Sequence, residues 1–238
     1  MKQLALFFTL FFSVFAFSSE RADHSLWTEL LKKHVSSQGK VDYKGFMDDI
    51  EPFDKYLIEL RSHAPMKDWS SDEKKAFYIN CYNAYTIKFV ITKYPVSSPK
   101  DVKFSGKDMW NFRMVQVGPQ KYSLQQVEDN ILRRMGDPRI HFAINCAAKS
   151  CPKLLNEAYE ADKLNAQLSK VTKAFIRNET HNEIKSKKIE ISKIFEWYAD
   201  DFKEGDMTLI SFINKYSEVT VNEDAKIEYK EYNWSLNE

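Results

Sequence analysis

SSDEKKAFYINCYNAYTIKFVITKYP, residues 70–95, is the best-defined element of the chain. Ser70 and Glu73 stand at the Ser-x-x-Glu spacing of a capping box, immediately ahead of an apolar run. Pro95 discourages further helical turns, so the spacing predicts a helix from Ser70 to about Tyr94. One stripe of that helix carries Ala76, Asn80, Asn83, Ile87, Val90 and Tyr94. Two asparagines on an apolar stripe need partners, since a buried amide left bare costs roughly 1–3 kcal/mol. Asn80 and Asn83 are therefore expected to be buried, bonded and turned toward residues 141–151. They either tie down loop backbone there or, in one case, face an active cleft.

Toward the N-terminus, Leu26, Leu30, Leu31 and Val35 recur at helical spacing, and Gly39 closes that segment. A second helix is expected from Lys44 to Ser62, with Pro52 setting a kink or an N-terminal turn. Residues 96–110 read as an irregular connection, and 112–123 as a hairpin around Gly118-Pro119. Ser123 can cap a helix from Leu124 to Arg134, and Arg139 to Asn145 reads as an apolar strand. Helices at Ala161–Arg177, Ile194–Phe202 and Thr208–Tyr216, with strands near Glu183–Ile191 and Lys226–Lys230, complete the pattern. The chain reads as α+β, a helix-rich single domain over residues 19–238 with a small antiparallel sheet.

At 238 residues, with 43% hydrophobic and 14% aromatic content, a packed core is easily supplied. Thirty-five Lys and Arg against 34 Asp and Glu leave a formal charge of +1, which gives no global attraction to nucleic acid. Lys2, the apolar run from Leu4 to Phe17 and the small residues at Ala16 and Ser18 read as a signal peptide over 1–18. That run is short of the ~20 residues a spanning helix needs, and no later stretch is apolar enough. The mature chain is expected to be exported, periplasmic or secreted, without a membrane span. Oligomeric state is not legible.

The chemistry concentrates in Arg139-Ile-His141-Phe-Ala-Ile-Asn-Cys146-Ala-Ala-Lys-Ser-Cys151-Pro152. A His base beside a Cys can generate a thiolate, and a third group must orient the imidazole. Glu128, on the preceding helix, or Asn80 or Asn83 could supply that group. Pro152 at a first helical turn would place Cys151 at a helix N-terminus, where a thiolate is favoured, so Cys151 is a reserve nucleophile. In an oxidising compartment the same two cysteines could instead form a disulfide, with His141 a satisfied core residue. Zinc ligation by His141, Cys146, Cys151 and Glu128 is a third arrangement, although neither Cys-x-x-Cys nor His-x-x-x-His spacing occurs. Cys81 reads as a small buried hydrophobe. Gly-x-Ser-x-Gly, Walker and Gly-x-Gly-x-x-Gly patterns are absent, and no cofactor is expected.

The same residues carry a resemblance to the domain-of-unknown-function 547 family. Its early motifs are matched by Val41-Asp42-Tyr43, by Ala76 to Ala84, and by Tyr94-Pro95. Leu124 to Arg133, with Glu128, follows, and then the most distinctive stretch, Pro138 to Cys146 and Ser150 to Leu154. Glu157-Ala158-Tyr159, Ser192 to Tyr198, Asp201-Phe202 and Asn233 to Asn237 complete it. Asn130 stands where relatives often carry a His, and Cys81 where they carry a small or apolar residue. By analogy the His and Cys motif implies a relationship to papain-like thiol enzymes. Here His141 precedes Cys146, so such a fold would be circularly permuted. The expectation is a thiol-dependent hydrolase or acyl transferase acting on an amide, peptide or thioester of the cell envelope. Cys146 would be the nucleophile, His141 the base, and Glu128 or Asn80 the orienting group, with an unidentified small molecule or peptide as substrate. The alternative is an exported binding or scaffold domain stapled by a Cys146–Cys151 disulfide.

Overall fold

A computed structural model describes residues 20–203, 205 and 207–238. The expected signal peptide lies outside the described residues. Four helices open the fold: α1 (Ser25–His34), α2 (Tyr43–Asp48), α3 (Ile50–Ser62) and α4 (Ser71–Lys93). The second expected helix is broken at Asp49, and Pro52 sits in the first turn of α3, where its missing N–H costs nothing. α4 forms as its sequence predicts, and both halves of the Ser70–Glu73 capping box are present. Fifteen of its residues are buried, as befits a helix that is apolar on most of its circumference. It packs against α2, α3 and the segment carrying Glu128, and so forms the spine of the domain. Trp27 of α1 stacks on Tyr56 of α3 with ring centroids 5.3 Å apart, sealing one side of the core.

The short strands β1 (Lys103–Phe104) and β2 (Lys107–Asp108) pair antiparallel inside the expected irregular connection. Strands β3 (Val115–Val117) and β4 (Gln120–Tyr122) form the expected hairpin. The helix expected over 124–134 is not uniform. After the Ser123-capped α5 (Leu124–Val127), it widens into a π turn at Glu128–Leu132 and tightens into a 3₁₀ turn at Arg133–Met135. A π turn takes in an extra residue and re-aims the side chains around it.

The segment expected as a strand at Arg139–Asn145 is instead a 3₁₀ turn, Pro138–Phe142. Asp137 caps it through the Arg139 N–H, and Pro138 supplies a ready-made first position. A short apolar run bounded by turn residues is compatible with either state when it is buried on all sides.

Helix α6 (Leu164–Ile176) follows, then strands β5 (Glu183–Ile184) and β6 (Lys188–Ile191). Next come α7 (Ile194–Trp197), a 3₁₀ turn at Ala199–Phe202, α8 (Leu209–Tyr216) and β7 (Lys226–Tyr229). β5 pairs antiparallel with β6, and β7 joins β6 in parallel register, Ile189 opposite Ile227. Phe142, Phe175, Phe195, Phe202 and Phe212 fill the interior of this half, and one hydrophobic cluster runs through both halves. The fold is helix-rich α+β. Among the described residues no helix is long and apolar enough to cross a membrane.

Candidate functional site

Cys146 and Cys151 are joined in a disulfide, with Cα atoms 6.2 Å apart. No helix begins at Cys151, because residues 152–160 run irregularly before α6. The loop between the sulfurs is held from three sides. Asn145 donates from Nδ2 to the Pro152 carbonyl and accepts the Ala147 N–H on Oδ1, each at 2.8 Å. Ala147 adopts a left-handed φ of 66°, which for a residue with a Cβ costs about 1–2 kcal/mol. That cost is met by the Asn145 bond and by the Asn237 N–H on the Ala147 carbonyl. Residues 233–237 cross the loop, pairing Leu236 with Ala148 and bonding Lys149 and Ser150 through their N–H groups.

The disulfide forms part of the wall of a cavity of about 350 Å³, which His141, Glu128, Tyr82, Tyr198 and Tyr232 also line. Trp110, Trp197 and Trp234 line it as well. The two sulfurs are not equivalent. Cys151 is buried, and Cys146 is partly exposed. The Cys146 backbone N–H donates to Cys151 Sγ at 3.0 Å, and the Tyr232 hydroxyl lies 3.1 Å from Cys151 Sγ and 3.2 Å from Cys146 Sγ.

His141 is buried, and its Nε2 lies 2.7 Å from Asp201 Oδ2. Asp201 also takes a two-pronged bond from the Arg133 guanidinium at 2.7 and 2.9 Å. Burial acts to raise the Asp201 carboxyl, but the His141 and Arg133 hydrogen bonds outweigh it and hold the group well below the usual carboxylate range. The other ring nitrogen, Nδ1, is buried with no hydrogen-bond partner among the described residues. The imidazole also stacks on Tyr198, centroids 3.9 Å apart.

Glu128 is not the group that fixes the imidazole. Its carboxylate accepts the Tyr82 hydroxyl at 3.2 Å and also bonds Tyr198. Burial raises its pKa against the opposing pull of those hydroxyls and of His141. Asn80 does not reach His141 either: both ends of its amide are spent on the Tyr159 backbone, at 2.8 and 2.9 Å. Asn83, three residues on, meets the expected segment, donating to the Ala143 carbonyl and accepting the Asn145 N–H. Both amides are buried and bonded, but only Asn83 faces the His141–Cys151 stretch. Cys81 is fully buried, which pushes its thiol far up, as suits a structural residue.

Asp201, Tyr198 and Tyr232 escaped the sequence reading as site residues. All three lie in family-like or aromatic C-terminal stretches that carry no spacing relation to His141. Among the described residues no group of three His, Cys, Asp or Glu side chains could hold a metal ion.

Over residues 66–176 the chain matches the family described as "Protein of unknown function, DUF547". The match takes in α4, Glu128, His141 and both cleft cysteines, and it ends before Asp201, Tyr198 and Tyr232. No curated protein and no solved structure matches the chain.

Proposed function

We propose that the cleft performs thiol–disulfide exchange through the Cys146–Cys151 bond. The inequality of the two sulfurs carries this reading. The Cys146 N–H donates to Cys151 Sγ alone, the Tyr232 hydroxyl is shared almost equally by both sulfurs, and a donor favours a thiolate, which then leaves faster. Cys146 is the more exposed residue of the pair, and its Sγ is the atom this reading has an entering thiolate attack.

A substrate thiolate attacks Cys146 Sγ. The Cys146–Cys151 bond breaks, its electron pair passes to Cys151, and a mixed disulfide forms at Cys146. A second substrate thiolate attacks the substrate sulfur and expels Cys146 as a thiolate. The substrate departs as a disulfide, oxidised by two electrons, and the protein keeps two thiols whose protons derive from the two substrate thiols. Run in reverse, the same steps reduce a substrate disulfide. Glu128, with its raised pKa, holds a proton at a pH where a free Glu has lost it, and stands in the same cleft as a proton source. An export signal over residues 1–18 would deliver the chain to an oxidising compartment, where the disulfide is the resting form.

The test is trapping. Cys151→Ser is expected to accumulate a stable mixed disulfide at Cys146 with a small disulfide such as cystamine, whose other half leaves as a thiol, read by intact mass, and Cys146→Ser to accumulate far less. If dithiols leave the bond intact in the folded protein and open it only on unfolding, exchange is discarded. The binding or scaffold domain stapled by this disulfide then replaces it.

The buried His141–Asp201 pair favours a second reading, a thiol-dependent hydrolase or acyl transferase that acts once the disulfide is reduced. Cys146 would be the nucleophile, Nδ1 of His141 its base, and Asp201 the orienting group. His141→Ala and Asp201→Asn should then move the pH profile of Cys146 alkylation in the reduced protein. Unchanged profiles in both variants exclude this reading.

A further inference from the structure

We infer that the cleft selects thiols that carry a positive charge close to the sulfur. The inference rests on the exchange reading and concerns the substrate class of that same site. Among the described residues no Lys or Arg lines the cavity, whereas Glu128 and Asp129 do. The basic group beside them, Arg133, is committed to Asp129 and Asp201. Six of the lining side chains are Tyr or Trp. Tyr232, whose hydroxyl meets the disulfide, is clustered with two other rings, centred 4.7 Å from Trp234 and 4.8 Å from Trp197. Trp197 is 47% exposed, so this cluster opens to solvent at the cavity.

An aromatic face attracts a cation and offers an anion nothing. The fold already uses these faces that way: Lys100 Nζ lies 4.1 Å from the centre of Trp234, and the Arg133 guanidinium lies 5.3 Å from that of Tyr198. An ammonium a few ångströms from an attacking sulfur would meet the exposed ring of Trp197, the half-buried ring of Tyr232 and the Asp129 side of the cavity. A carboxylate or sulfonate in that place would lose its water against the rings of Trp197 and Tyr232. The ammonium could belong to a free aminothiol or to a basic residue beside a cysteine in a polypeptide.

Three thiols of equal length separate charge from size: cysteamine, 2-mercaptoethanol and 2-mercaptoethanesulfonate. Second-order rate constants for opening the Cys146–Cys151 bond are measured for each, corrected to thiolate, and divided by those for a flexible peptide disulfide under the same conditions. The expected order is cysteamine, then mercaptoethanol, then the sulfonate, with about tenfold between the ends. Trp197→Ala should shrink that ratio, and the exposure of Trp197 keeps folding out of the result. Cysteine peptides flanked by Lys or by Glu extend the series. A larger ratio with peptides than with small thiols identifies a polypeptide substrate, and a smaller one a free aminothiol. Ratios equal to those of the flexible peptide overturn charge selection while exchange stands. If none of the three thiols opens the bond, the exchange reading fails and this inference with it.

Discussion

Tyr232 contributes one hydroxyl to two sulfurs, and it is the cheapest residue at which to test the site. Tyr232→Phe keeps the ring and its packing against Trp197 and Trp234 but removes the donor to Cys151 Sγ. Loss of one hydrogen bond to a developing thiolate should slow exchange roughly tenfold, the equivalent of about 1.4 kcal/mol. Stopped-flow thiol release measures it. Glu128 is the second residue-scale test. Burial raises its folded pKa above the unfolded value, so the native state holds the proton more tightly. The stability this gives is fully present below the unfolded pKa and is lost as pH rises through the folded one. Glu128→Gln removes that loss. Its thermal stability relative to the parent should therefore climb from pH 4 to pH 8, and a constant difference across that range would contradict the burial argument.

The amides of α4 show how one helix can serve two segments. Three residues separate Asn80 from Asn83, so they stack along one face and meet different backbone, Tyr159 in one case and Ala143 and Asn145 in the other. Asn80→Ala and Asn83→Ala should each cost about 1–3 kcal/mol in denaturant unfolding, because each leaves buried backbone groups bare. Hydrogen exchange should separate them: Asn83→Ala loosens residues 143–147, next to the disulfide, and Asn80→Ala loosens residues 157–160. The contact between α1 and α3 adds a pH-dependent term. His24 Nδ1 lies 2.8 Å from the Tyr56 hydroxyl, and burial, opposed by Asp23, lowers the His24 pKa to about 4. The unfolded chain binds this proton first as pH falls. The contribution is therefore complete above about pH 6.5 and is lost toward pH 4, by at most about 1.4 kcal/mol per pH unit. His24→Gln should flatten the unfolding free energy over that window.

At the scale of the whole molecule, the C-terminal residues hold the site together. The Val41 N–H bonds the Asn237 carbonyl, and the Tyr43 hydroxyl donates to Asn237 Oδ1 at 2.6 Å. The Leu236 N–H bonds the Ser97 carbonyl, and residues 233–237 cross the cysteine loop. Segments nearly two hundred positions apart in the chain thus meet at one loop. Deleting residues 231–238 removes Tyr232 and Trp234 from the cavity and both partners that hold Ala147 and Ala148 from that side. The truncated protein should unfold at a clearly lower temperature by calorimetry, and the loss of shielding should outweigh the loss of the Tyr232 donor, so that its Cys146–Cys151 bond opens faster to reagents of every charge. An unchanged opening rate would mean that the tail is not what shields the sulfurs.

Local signals determined much of this protein. The capping box and Pro95 delimit α4, Ser123 and Thr208 cap the helices that follow them, and the alternation of Ile184, Ile189 and Ile191 marks a strand or hairpin arm, because each is a contest among neighbouring groups. The cysteine pairing was one of three arrangements that the residues allowed. What the sequence left open was settled by contacts with no fixed spacing. The turn at Pro138–Phe142 buries Ile140, His141 and Phe142 in succession, so its apolar run carries no period. The partner of His141 lies 60 positions downstream, and that of both sulfurs more than 80. Hydrogen bonds over such separations depend on where whole elements pack. Only the folded chain brings Asp201 to His141 and Tyr232 to the disulfide.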